Sequence, residues 1–122
     1  MNAPHTILVV ENETVLLDMF AEALSLSYRV LEATSVDQAV DLLRCDAVDG
    51  VLTDLNLGEK SGLDLMRWIR DEQPALLPNC LVMSGNMFAD LDGLAVPLIT
   101  KPVDLWYLLD TFEKLFFVTA LQ

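Results

Sequence analysis

Short apolar runs alternate with stretches of helical periodicity along almost the whole chain, and few folds accept that pattern. The runs are Thr6–Val10, Tyr28–Ala33, Gly50–Thr53, Cys80–Met83 and Leu98–Thr100. Most are apolar at consecutive positions rather than at every second one, the pattern of strands buried on both faces. Between them, residues 14–25 set Leu16, Met19, Phe20, Ala23 and Leu24 on one helical face. Ser35, with Gln38 three residues on, has the pattern of a capping box, and its helix buries Val36, Ala39, Val40 and Leu43. Ser61 and Asp64 repeat that signal before a helix to about Glu72, which Pro74 helps to stop. Asp104 caps a last helix with Leu105, Leu108, Leu109, Phe112 and Leu115 inward. Residues 86–95 carry the weakest pattern, that of a short helix or an irregular loop.

Repeated strand–helix units imply a parallel sheet covered by helices on both faces. Right-handed crossovers restrict the topology, and a flavodoxin-like, doubly wound α/β fold with five strands in the order 2-1-3-4-5 fits best, its fourth helix shortened or irregular. With 122 residues the chain is read as one domain over 1–122. At 53% hydrophobic residues it is not a disordered chain. No apolar run is long enough to cross a membrane. The N-terminus Met1-Asn2-Ala3-Pro4-His5 has no basic region and no apolar signal core, which predicts a cytoplasmic protein. The net charge of −12 comes with no basic patch, so nucleic acid is not an expected partner. Cys45 and Cys80 lack metal-site spacing and His5 is the only histidine, which argues against zinc; a disulfide is not expected in the cytosol.

Polar residues close the runs. In open parallel sheets, ligands gather outside the carboxyl ends of the strands. The first strand ends in Glu11-Asn12-Glu13, the third in Asp54, the fourth in Ser84-Gly85 and the fifth in Lys101-Pro102. In the order 2-1-3-4-5 the first and third strands are neighbours, so Glu11 and Asp54 lie side by side. Taken singly, each residue is as readily a turn or cap residue. Together, two acids, a hydroxyl and a lysine can hold Mg²⁺ through oxygen ligands and neutralise a phosphoryl group. Asp54 is the candidate nucleophile, since aspartate carboxylates can be phosphorylated. Lys101 is a compact point charge, and Ser84 can donate to a phosphoryl oxygen.

These motifs resemble the receiver domain of bacterial two-component response regulators over nearly the whole chain. Ile7-Leu8-Val9-Val10-Glu11-Asn12-Glu13 resembles the family's first strand and its acidic pair. Val51-Leu52-Thr53-Asp54-Leu55-Asn56-Leu57 resembles the strand of the phospho-acceptor aspartate, with Gly62 at the family's loop glycine. Leu81-Val82-Met83-Ser84-Gly85 resembles the strand of the switch hydroxyl, and Thr100-Lys101-Pro102 the Lys-Pro signature. The resemblance implies phosphotransfer to Asp54 from a histidine kinase or a histidine phosphotransfer protein. It implies Mg²⁺ at Glu11, Asn12, Asp54 and the backbone carbonyl of Asn56, and a cis peptide between Lys101 and Pro102.

Three departures follow. Glu11-Asn12 stands where the family usually has two aspartates, which predicts weak Mg²⁺ binding; Glu13 faces away but could compensate. Leu98 stands where the family has its switch aromatic. The segment between Ser84 and Lys101 is short by about one helical turn. Trp106 and Tyr107 occupy positions that the inward face of the last helix does not need. They either cover the edge left by a shortened fourth helix or form a surface for a downstream protein target or for self-association. The apolar tail Phe116-Phe117-Val118 and Leu121 finishes the helix or adds to such a contact. The expected function is a stand-alone phosphorylatable receiver, a phospho-acceptor rather than an enzyme, acting through protein contacts. The competing reading is a pseudo-receiver, an interaction module independent of phosphorylation. An aspartyl phosphatase would need a second acid where Asn56 stands, and a flavin module would rest on the fold alone.

Overall fold

The computed structural model describes residues 4–121. Its elements, in chain order, are β1 (Thr6–Val10), α1 (Thr14–Ser25), β2 (Arg29–Ala33), α2 (Val36–Cys45), β3 (Gly50–Asp54), β4 (Asn56–Leu57), β5 (Lys60–Ser61), α3 (Gly62–Glu72), a 3₁₀ helix (Pro74–Asn79), β6 (Cys80–Ser84), β7 (Leu98–Thr100) and α4 (Leu105–Ala120). The main sheet has the order β2-β1-β3-β6-β7, with every pairing parallel. This is the 2-1-3-4-5 order expected from the sequence. β4 and β5 form a two-residue antiparallel hairpin in the loop after Asp54.

Alternation along each strand divides the core in two. Leu8 and Val10 face α2 and α3, where they join Val36, Ala39, Leu65 and Ile69. Ile7 and Val9 face α1 and α4, where they join Phe20, Leu24, Phe112 and Phe116. Covering on both faces is why β1, β3 and β6 are buried throughout and read as unbroken apolar runs.

Three caps form as expected. Gln38 N donates to Ser35 Oγ at 3.1 Å, although the Gln38 side chain reaches back to Thr34 N, at 2.8 Å, rather than to Ser35. Leu63 N donates to Ser61 Oγ at 3.1 Å, and Ser61 N to Asp64 Oδ2 at 2.9 Å. Asp104 Oδ1 accepts from Trp106 N and Tyr107 N at 2.9 and 3.3 Å.

Several expectations are corrected. α1 buries Leu17, Phe20, Ala21 and Leu24, while Met19 is exposed and Leu16 and Ala23 are only half-buried. Tyr28 precedes β2 instead of starting it, and packs edge-on against Phe112 and Phe116. The apolar tail finishes α4, with Phe116 in the core and Phe117, Val118 and Leu121 exposed. Pro74–Asn79, which the sequence marks only with a stop signal, is a 3₁₀ helix that buries Leu76. Between β6 and β7 the irregular-loop alternative holds, and no helix forms. That segment is a loop whose Leu91, Leu94 and Val96 pack on the α2–α3 side of the core. Asp92 and Gly93 turn the loop with φ of 55° and 75°, a region that Asp tolerates and Gly enters freely. Asp92 Oδ2 accepts from Arg67 Nη2 at 2.6 Å and ties the loop to α3.

Candidate functional site

The site is assembled by register. Val10 pairs with Thr53, and Asp54 pairs with Met83, so the residues ending β1, β3 and β6 come level at one edge of the sheet. Glu11 immediately follows β1, and its N–H donates to Ala33 O at 3.0 Å, carrying the pairing one residue further. Asp54 ends β3, and Ser84 ends β6. Lys101 follows β7, with its N–H donating to Ser84 O at 2.8 Å. From there its side chain spans β6: Lys101 Nζ lies 3.1 Å from Asp54 Oδ2 and 3.3 Å from Glu11 Oε1. One lysine therefore bridges two nearly inaccessible carboxylates. The peptide between Lys101 and Pro102 is cis.

The other expected residues differ in exposure, Ser84 being buried. Asn12 and Glu13 are exposed, and Glu13 is the residue at the start of α1. Asn56 is exposed as well; its N–H donates to Asp54 Oδ1 at 3.3 Å, and its Oδ1 accepts from Gly58 N at 3.4 Å. Ser84 Oγ accepts from Asn86 N at 3.0 Å, which fixes the first turn of the loop after β6. Gly62 is required by contact: a Cβ there would collide with Asp54 O, and it would lie 3.1 Å from Leu55 Cα. The start of α3 is thus pressed against the backbone that carries Asp54, and Gly62 N donates to Leu55 O at 2.7 Å.

Glu11 is the strained member of the set. It is fully buried, and its Oε2 has no hydrogen-bond partner. Burial first, and then the adjacent Asp54 carboxylate, push its pKa up to about 7, against the opposing pull of Lys101. Burial alone would lower the Lys101 pKa, but the bonds to Asp54 and Glu11 outweigh it and hold the ammonium above its ordinary value. The sequence presents Glu11 as a metal ligand; its burial and its shared lysine carry no sequence signal.

Oxygen donors suit a hard cation, and the unpartnered Glu11 Oε2 is an atom that such a cation, or a proton, would satisfy. The charge available is small. Among the described residues, no group of three or more acidic, histidine or cysteine side chains is placed to hold a metal. Two carboxylates, Glu11 and Asp54, are the charged oxygen donors at this edge, and the neighbouring Asn12 and Asn56 add no charge. A groove of about 550 Å³ between α2 and α3 is lined by none of these residues. Both cysteines are free, and burial pushes the Cys80 thiol up to about 12.

Comparison with known proteins places the chain in a family. The chain is 24% identical over 117 residues to the polar-differentiation response regulator DivK of Brucella anthropi, covering 91% of this chain and 95% of that protein. It is 25% identical over 115 residues to DivK of Brucella suis, covering 89% and 94%. A CheY-like response regulator receiver domain from Methanospirillum hungatei superposes with a TM-score of 0.86 at 22% identity, over 98% of this chain and all of that one. A receiver domain from Clostridium thermocellum gives 0.83 at 24%, over 96% and 98%. The profile of the response regulator receiver domain matches residues 7–113. The acid pair, the strand-end hydroxyl and the bridging lysine thus stand in a chain that belongs to the response regulator receiver domain family of two-component systems.

Proposed function

We propose that this receiver accepts a phosphoryl group on Asp54 from the phosphohistidine of a histidine kinase or histidine phosphotransfer protein, and signals through protein contacts. The observation that carries the reading is the Lys101 bridge, at 3.1 Å from Asp54 Oδ2 and 3.3 Å from Glu11 Oε1. A carboxylate oxygen of Asp54 attacks phosphorus, the P–N bond of the donor breaks, and an aspartyl phosphate forms. Lys101 moves from balancing two carboxylates to balancing the incoming phosphoryl charge. Ser84 turns its hydroxyl toward a phosphoryl oxygen. Glu11, Asp54, the Asn12 amide oxygen and the Asn56 carbonyl would hold Mg²⁺, which supplies further neutralisation when bound. On this reading the chain is a phospho-acceptor and not an enzyme with a separate substrate.

The partner face is α4. Trp106 is 81% exposed and Tyr107 56%, on the helix that begins next to Lys101. Leu98 is aliphatic and half-buried, so an aromatic rotamer at that position is not the readout.

The test is intact mass after incubation with acetyl phosphate and Mg²⁺. Wild type should gain one phosphoryl group, and Asp54→Asn should gain none while keeping its fold. No gain in wild type, under conditions that label an ordinary receiver, selects the second reading, a phosphorylation-independent interaction module. Glu11-Asn12 offers one acid where the family usually has two, and Leu98 stands in place of the switch aromatic; these two features favour that alternative.

A further inference from the structure

The segment Trp106, Leu109, Asp110, Glu113 runs along α4 at i, i+3, i+4 and i+7 and so forms one stripe. It faces the turn Ser27–Tyr28 that follows α1, and the two enclose a recess of about 320 Å³. Tyr28 is fixed in the wall: its ring lies edge-on to Phe116 at 5.4 Å and to Phe112 at 6.5 Å. Burial, and then the charge of Glu113, raise the Tyr28 phenol above its ordinary value, so that carboxylate acts on the same space. Asp110 pairs with Lys114 at 2.9 Å. Glu113 has no cation in ion-pair range among the described residues.

An indole, a phenol ring and a carboxylate without an ion-pair partner together recognise a cation. A guanidinium fits better than an ammonium, because it lies flat on an indole while its N–H fork meets a carboxylate. The molecule already contains such a pairing elsewhere: Arg44 Cζ lies 5.7 Å from the Trp68 ring centroid, in the groove that also holds Asp37, Asp41 and Asp64. At Trp106 the cation must come from outside. Among the described residues, six of the seven lysines and arginines are in ion pairs and Arg44 stacks on Trp68. A second copy is a poor donor for the same reason, and two chains of charge −12 repel.

We propose that the recess between α4 and the Ser27–Tyr28 turn takes an arginine side chain of a partner protein. This rests on reading α4 as the partner face, and it does not depend on phosphorylation of Asp54.

The experiment is an NMR titration of the whole chain, without phosphate or Mg²⁺, using acetyl-arginine-amide and, in parallel, its neutral isostere acetyl-citrulline-amide. The expected result is a saturable shift of the Trp106 indole N–H and the Glu113 amide, with arginine binding about fivefold tighter than citrulline. Trp106→Ala should abolish the Glu113 shift, and the isosteric Glu113→Gln should remove the preference for arginine. Because Trp106 is largely exposed, its alanine variant keeps the fold, which the remaining spectrum verifies. Equal shifts from the two probes, or shifts spread without saturation over the acidic surface, overturn the proposal. So does a change in the same resonances on dilution without probe, which would assign the recess to a second copy. An unphosphorylated Asp54 in the mass experiment would leave this titration unaffected, so the two failures are distinguishable.

Discussion

Glu11 is the residue at which fold and function compete. Its carboxylate has no solvent access, keeps one oxygen without a partner and shares Lys101 with Asp54. In the folded chain its pKa is about 7, against an ordinary value of 4.5. Between those values the folded protein keeps a proton that the unfolded chain has lost. The stability this supplies is fully present below about pH 4.5 and is lost as the pH rises through about 7. Glu11→Gln removes that dependence. Urea denaturation in metal-free buffer should show the variant more stable than wild type above pH 7, by no more than about 3 kcal/mol. A variant less stable than wild type at pH 8 would mean that the ion pair with Lys101 outweighs desolvation. The residues themselves are legible in the sequence: Asp54, Ser84 and Lys101 end apolar runs, and the strand order brings those ends together. The competition at Glu11 is not legible, because burial and the reach of Lys101 across β6 exist only in the folded chain.

At the scale of elements, the sequence is clearest where capping chemistry and apolar runs agree, as at Ser61–Asp64 and Asp104. It is weakest over residues 86–95, and it is ambiguous in α1, where Val15-Leu16-Leu17 and Met19-Phe20-Ala21 are all apolar. Periodicity cannot select a face in such a stretch, and packing against the sheet and α4 selects Leu17, Phe20 and Leu24. The absent helix between β6 and β7 has a different cause. Asp90, Asp92, Gly93 and Pro97 disfavour a helix, and the loop keeps only the apolar contacts that a helix would have supplied. Val96 is buried at the end of that loop, while Phe88 is 86% exposed in its first turn. Val96→Ala should therefore cost about 2 kcal/mol in chemical denaturation, whereas Phe88→Ala should stay within about 0.5 kcal/mol of wild type despite losing the larger side chain. Equal losses would mean that Phe88, not Val96, seals the sheet.

At the scale of the whole molecule the governing fact is charge. The eight ion-pair contacts engage six of the seven cations and eight of the nineteen acids, leaving eleven carboxylates without an ion-pair partner among the described residues. Salt acts on both groups. It weakens the exposed pairs, each worth about 0–1 kcal/mol, and it screens repulsion among the unpaired acids over a distance of about 10 Å at 0.1 M. Lys101 is shielded from much of this, since its partners are buried. The remaining pairs have well-exposed lysine or arginine side chains and start with little to lose. Relief of repulsion therefore outweighs the weakening of the pairs. Raising NaCl from low to moderate concentration at pH 8 should stabilise the fold by roughly 1 kcal/mol, an increase in Tm of about 4 °C for a domain of this size. A fall in Tm would mean that the surface pairs outweigh the uncompensated acids. The surplus carboxylates would then be spaced too widely to repel, and the preference for a cationic partner would rest on the Trp106 recess alone.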